Sequence, residues 1–192
     1  MATQVRLFIS AGPEEESLRE SLGRALAELP VNIGWIIKRT PDIDSVPECH
    51  LFVVVLGRDI VAPVGLELWW ALRTEKPVRG YLFDKLRTPA GQVFVQENAS
   101  IDWARFGDAS ELRRAFVKDV ARFLLGHAER YGVTVVEAET LKGMLTVLEK
   151  APSQQPKAPA GETKLRGAGG GGVILAPGKD VPRGAHLVGE DE

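Results

Sequence analysis

Glu67 has the residue type and the position in the chain for a catalytic role, and a few polar neighbours could serve it. It sits near the start of the helix expected after an apolar strand, where a side chain projects into the crevice at the carboxyl ends of a parallel sheet. Ser10, at the end of the first strand, suits a ribose hydroxyl or a phosphate, and Arg58 and Asp59 follow the third strand with the same capacity. Arg39, after the second strand, is a further cation for such a ligand. Trp69 and Trp70 offer a ring to stack on a base or nicotinamide. Adjacent helix positions diverge by about 100°, so one of the two, taken here as Trp70, can face the site while the other packs in the core.

Simpler explanations exist for each of these residues. A glutamate early in a helix also complements the helix dipole, and a serine before a helix often serves as a turn or cap residue. Arg58 and Asp59 also fit a solvated turn. Cys49 precedes an apolar strand with no activating base in sequence, which suits burial better than nucleophilic catalysis. His50, His127 and His186 lack metal-ligand spacing, and Gly169 to Gly172 lacks the Lys-Ser/Thr of a phosphate-binding loop, so no metal site and no P-loop are expected.

The elements that position these residues follow from hydrophobic periodicity. Val5 to Ser10 reads as a strand, and Pro13 with Glu14, Glu15 and Glu16 opens a helix bearing Leu18, Leu22, Ala25, Leu26 and Leu29 on one face. Val31 to Lys38 reads as a second strand, and Arg39 to Glu48 as a loop or very short helix. His50 to Leu56 is apolar on consecutive residues, the pattern of a central strand covered on both faces. A helix over Val64 to Thr74 and a strand over Val78 to Phe83 follow, with Gln92 to Gln96 as a short edge strand. Asp108 caps a helix running to about Tyr131, and another spans about Val136 to Lys150. This alternation predicts an α/β fold: a flavodoxin-like, doubly wound parallel sheet of four to five strands with flanking helices and a flexible C-terminal tail. Residues 1–150 form the domain, and 151–192, rich in Pro and Gly, form a linker and tail.

Composition narrows the function classes. With 44% hydrophobic and 26% charged residues the chain can bury a core, and a net charge of -2 gives no reason to expect nucleic acid or an anionic membrane as partner. A lone cysteine and a start without an apolar signal segment point to the cytoplasm, and no apolar run approaches the length of a membrane span.

Two stretches carry a resemblance. Leu7-Phe8-Ile9-Ser10 is similar to the first box of TIR domains. Leu56-Gly57-Arg58-Asp59, Gly65 to Leu72 with its Glu-Leu-x-x-Ala-Leu, and Lys76-Pro77-Val78 resemble the corresponding strand, loop and helix of TIR domains, nucleoside deoxyribosyltransferase-like proteins and bacterial TIR-like domains. Together they cover roughly residues 5 to 85. The resemblance implies that Glu67 is catalytic and acts on the ribose of a nucleotide or nucleoside. It also implies cleavage of an N-glycosidic bond with NAD as the usual substrate, in bacterial signalling or defence. NAD enters as substrate, and no cofactor is implied. The segment Arg39-Thr40-Pro41-Asp42 departs from the pattern: it is short and lacks a convincing following helix, so the lid over the substrate is expected to be missing. A non-catalytic interaction module that joins a larger assembly, or self-assembles, through its helices and tail is the alternative. A domain that binds a nucleotide without cleaving it is a third reading.

Overall fold

The computed structural model describes residues 4–150, and the expected linker and tail lie outside them. Five strands, β1 (Gln4–Ala11), β2 (Gly34–Arg39), β3 (Leu51–Leu56), β4 (Val78–Phe83) and β5 (Trp103–Phe106), pair in the order β2-β1-β3-β4-β5. All four pairings are parallel. This is the doubly wound, flavodoxin-like order, in which the chain leaves β1 on one side for β2 and returns to the other side for β3. The switch point therefore lies between β1 and β3.

Alternation along β1 divides the core in two. Val5, Leu7 and Ile9 face one side, packed with Leu22 and Leu26 of α1 (Glu16–Ala27) and with Leu112, Phe116, Val120 and Leu124 of α4 (Ala109–Gly126). Phe8 faces the other side and packs with Phe52, Val54, Val46, and Val64, Leu68 and Ala71 of α2 (Ala62–Arg73). Every residue of β3 is buried, as its unbroken apolar run requires of a strand covered on both faces. The helix expected to run to Tyr131 breaks at His127 and resumes as α5 (Ala128–Tyr131), and α6 (Val135–Lys150) packs on α4 through Leu141.

Two expectations change. Gln92 to Gln96 is not an edge strand but part of a helix, α3 (Pro89–Glu97), started by Pro89 in its first turn and by the Thr88 hydroxyl, which accepts from the Gly91 amide at 3.1 Å. The fifth strand is the four-residue β5 instead. The segment after β2 holds the very short helix expected of it: a 3₁₀ helix, Ile43–Glu48, packs on α2 through the fully buried Val46.

Candidate functional site

Glu67 occupies a core position. The inward stripe of α2 is Val64, Glu67, Leu68 and Ala71, at helical spacings of three, four and seven, so a leucine at 67 would complete an apolar face. Pro63 fits the first turn, so the helix begins at Ala62 and Glu67 lies in its second turn rather than at its start. Only 1% of Glu67 is exposed, a costly position for a carboxylate without donors.

Hydroxyls from two strand ends meet one of its oxygens. Ser10, at the carboxyl end of β1, shares a face with Phe8 and is fully buried; its Oγ donates to Glu67 Oε2 at 2.5 Å. Thr40, the first residue after β2, donates from Oγ1 to the same oxygen at 2.7 Å and accepts from the Ala11 amide at 3.2 Å. Among the described residues nothing donates to the buried Oε1. One oxygen is thus clasped, and the other is buried without a donor among the described residues.

Arg19 of α1 lies close behind. Its Nη1 donates to the Thr40 carbonyl at 3.2 Å, and its other arm pairs with Glu16. Burial lowers its pKa, with Arg39 adding to the effect, while Glu67 acts in the opposite sense. The 3.3 Å contact of Arg39 with Glu16 joins both arginines to one acid.

Two clefts flank this clasp. One, of about 500 Å³, has Pro41, Ile43, Ala62, Pro63 and Leu66 as apolar walls and carries Asp42, Asp44 and Glu67, with no cation in its lining. The other, of about 530 Å³, gathers Arg19, Lys38, Arg39 and Glu16 beside Thr40. Pro41 and Asp42 border both. Asp42 is held below the usual carboxylate range by the Ser45 hydroxyl and then by Lys38, which lies 3.2 Å away.

Among the residues expected at the site, Glu67, Ser10 and Arg39 come together, whereas Arg58, Asp59 and Trp70 stand apart. Asp59 Oδ1 accepts from the Thr88 hydroxyl at 2.7 Å and the Ile60 amide at 2.8 Å, fastening the loop after β3 to that after β4 and lowering its own pKa through the Thr88 bond first. Arg58 engages Thr88 through its carbonyl, and its side chain is exposed. Neither borders the Glu67 clefts. Trp70 packs against the Phe8 and Phe52 cluster and stacks on Trp69 with centroids 5.4 Å apart, while Trp69 itself is half exposed. The core took the tryptophan assigned to the ligand.

Thr40 and Arg19 were not foreseen. The loop holding Thr40 is legible as a crevice loop, but nothing in Thr-Pro-Asp says that the hydroxyl turns inward. No cluster of three or more His, Cys, Asp and Glu able to hold a metal occurs among the described residues, and none of their helices is long and apolar enough to cross a membrane.

The fold and site define a doubly wound α/β domain with a buried carboxylate beside its switch point. No family model and no curated protein matches the sequence. Among solved structures, a flavodoxin from the domain Archaea is similar at 9% identity and a TM-score of 0.39, over 72% of this chain and 99% of that one.

Proposed function

We propose that this chain is a TIR-like enzyme that cleaves the N-glycosidic bond of NAD or a related nucleotide, in signalling or defence. The observation that carries the reading is the half-clasped Glu67 carboxylate, with Oε2 bound by Ser10 and Thr40 and Oε1 buried without a donor beside an apolar cleft.

In this reaction the bond from the ribose C1′ to the ring nitrogen breaks with its electron pair going to nitrogen. Positive charge then develops on the sugar as an oxocarbenium-like state. The Glu67 carboxylate, which borders the cleft, stabilises that charge, and water adds to C1′ with loss of a proton. The departing nicotinamide is neutral and needs no strong acid, so one carboxylate suffices. Ser10 and Thr40 act as positioning residues, fixing the carboxylate before reaction.

Charge distribution supports the substrate class. A cleft with carboxylates, apolar walls and no lining cation favours a cationic ring over a phosphate, and its low polarity strengthens the attraction. Arg19, Lys38 and Arg39 in the adjoining cleft suit the diphosphate. Incubation of concentrated protein with NAD, followed by nicotinamide release, tests the reading. Release is expected, and its absence at every protein concentration counts against it.

Exposed apolar residues on α2 favour a second reading, an interaction module. Leu66 and Trp69 are 52% and 50% exposed and lie three residues apart on its outer face. A protein partner or a second copy would cover them, and unchanged sedimentation of Trp69→Asp relative to the native chain, alone and with partner present, would remove that support.

A further inference from the structure

The basic cleft beside Thr40 already holds an anion, and that anion belongs to the chain. Glu16, in the first turn of α1, reaches both arginines of the cleft with one carboxylate oxygen each. Its Oε2 accepts from Arg19 Nη2, and its Oε1 accepts from Arg39 Nη1 at 3.3 Å. A phosphate matches this geometry, since two of its oxygens can take the same two guanidinium donors. Lys38 is the third cation of the lining, so with Glu16 and Asp42 the cleft sets three positive charges against two negative ones. Its volume of about 530 Å³ leaves room for a group larger than a carboxylate.

The two arginines are held unequally. Arg19 is anchored: its side chain is 10% exposed, Nη1 donates to the Thr40 carbonyl at 3.2 Å, and the buried Nε has no acceptor among the described residues. A planar cation fixed from behind has little rotamer freedom left to lose when a ligand arrives. Arg39 and Glu16 are 65% and 42% exposed, and an ion pair so open to water contributes little. The Glu16 bridge is therefore readily exchanged. Burial lowers the Arg19 pKa and Arg39 lowers it further, so an anion lying between the two cations relieves their repulsion.

We propose that Arg19 and Arg39 form an oxyanion subsite whose resting occupant is the Glu16 carboxylate, and that a phosphate group of a ligand takes its place, with Lys38 as a further counter-charge. Identifying that phosphate with the diphosphate of a nucleotide rests on the N-glycosidic reading, because Thr40 joins the subsite to Glu67 through its carbonyl and hydroxyl. The binding of an oxyanion does not rest on it.

Calorimetric titration of the full chain at constant ionic strength, with inorganic phosphate, ADP and adenosine as separate titrants, compares the native protein with Glu16→Gln and Arg39→Met. Glu16→Gln is expected to bind phosphate about tenfold more tightly, because a competing negative charge is gone, and Arg39→Met about tenfold more weakly. Equal phosphate affinity of the native protein and either variant overturns the proposal. Arg39→Gln repeats the comparison should the methionine variant fail to melt cooperatively. ADP separates the sources: tighter binding than phosphate identifies a nucleotide phosphate and equal binding a free oxyanion, both in support, provided that the two substitutions shift ADP in the same directions. Adenosine bound as tightly as ADP would show that the phosphates contribute nothing and would also overturn it. Phosphate binding is expected to survive in Glu67→Gln, so a failure of cleavage and a failure of this subsite are read separately; its loss there contradicts the placing of the subsite on the arginines.

Discussion

Replacing Thr40 with valine tests whether its hydroxyl holds Glu67, and the geometry fixes the size of the effect. Valine keeps the shape and removes two hydrogen bonds, the 2.7 Å bond to Glu67 Oε2 and the 3.2 Å bond from the Ala11 amide. A hydrogen bond to a charged acceptor contributes about 1.5–3 kcal/mol, and a buried amide left without an acceptor costs about 1–3 kcal/mol. Ala11 is 2% exposed, so water cannot readily replace that acceptor. The sum is roughly 2.5–6 kcal/mol, equivalent to about 7–18 °C in melting temperature for a domain of this size. In a Glu67→Gln background the amide loss is unchanged, but the bond to residue 67 becomes a neutral one worth about 0.5–1.5 kcal/mol. A double-mutant cycle by urea denaturation should therefore give a coupling energy of about 1–2 kcal/mol between Thr40 and Glu67. Additivity to within about 0.5 kcal/mol would show that the hydroxyl does not hold the carboxylate.

Other expectations follow from single groups. Burial pushes the Cys49 thiol up to about 11, so a thiol reagent at pH 8 should leave the native protein unmodified and react with one equivalent after unfolding; rapid native reaction would contradict the burial. Glu15 has a raised folded pKa, so between its unfolded and folded values the native state binds more protons than the unfolded one, and stability falls as pH rises through that window. Glu15→Gln should accordingly melt higher than the native chain at neutral pH, with the gap shrinking on acidification. Asp108→Ala removes the cap in which Oδ1 accepts from the Glu111 amide at 2.8 Å, and should lower stability by about 1 kcal/mol.

Sequence periodicity made β1, β3, β4 and the apolar stripe of α1 readable, because burial on a sheet leaves a pattern along the chain. It misread Gln92 to Gln96, where Val93 and Val95 suggested a strand and the stronger signal was Thr88-Pro89, a cap followed by a first-turn proline. At four residues, β5 is too short to show a period. Glu67 was legible because its place after β3 follows from topology, whereas Thr40 and Arg19 were not, since their roles depend on where β2 ends relative to β1 and α2. The run Glu14, Glu15, Glu16 read as dipole complementarity, and only the packing separates Glu15, buried on Gly57, from its exposed neighbour Glu14. Arg58, Asp59 and Trp70 lie away from the Glu67 clefts: the Asp59 carboxylate joins a loop clasp with Thr88, Trp70 packs on the core, and the Arg58 side chain is exposed on the loop after β3.

If the Glu67 carboxylate stabilises the charge that develops on the sugar, the rate of nicotinamide release from saturating NAD separates native from Glu67→Gln protein. Turnover by the native protein is expected, with a fall of about 100-fold to 1,000-fold in kcat for Glu67→Gln and its melting transition retained; a variant that keeps the native kcat would rule out that role for Glu67.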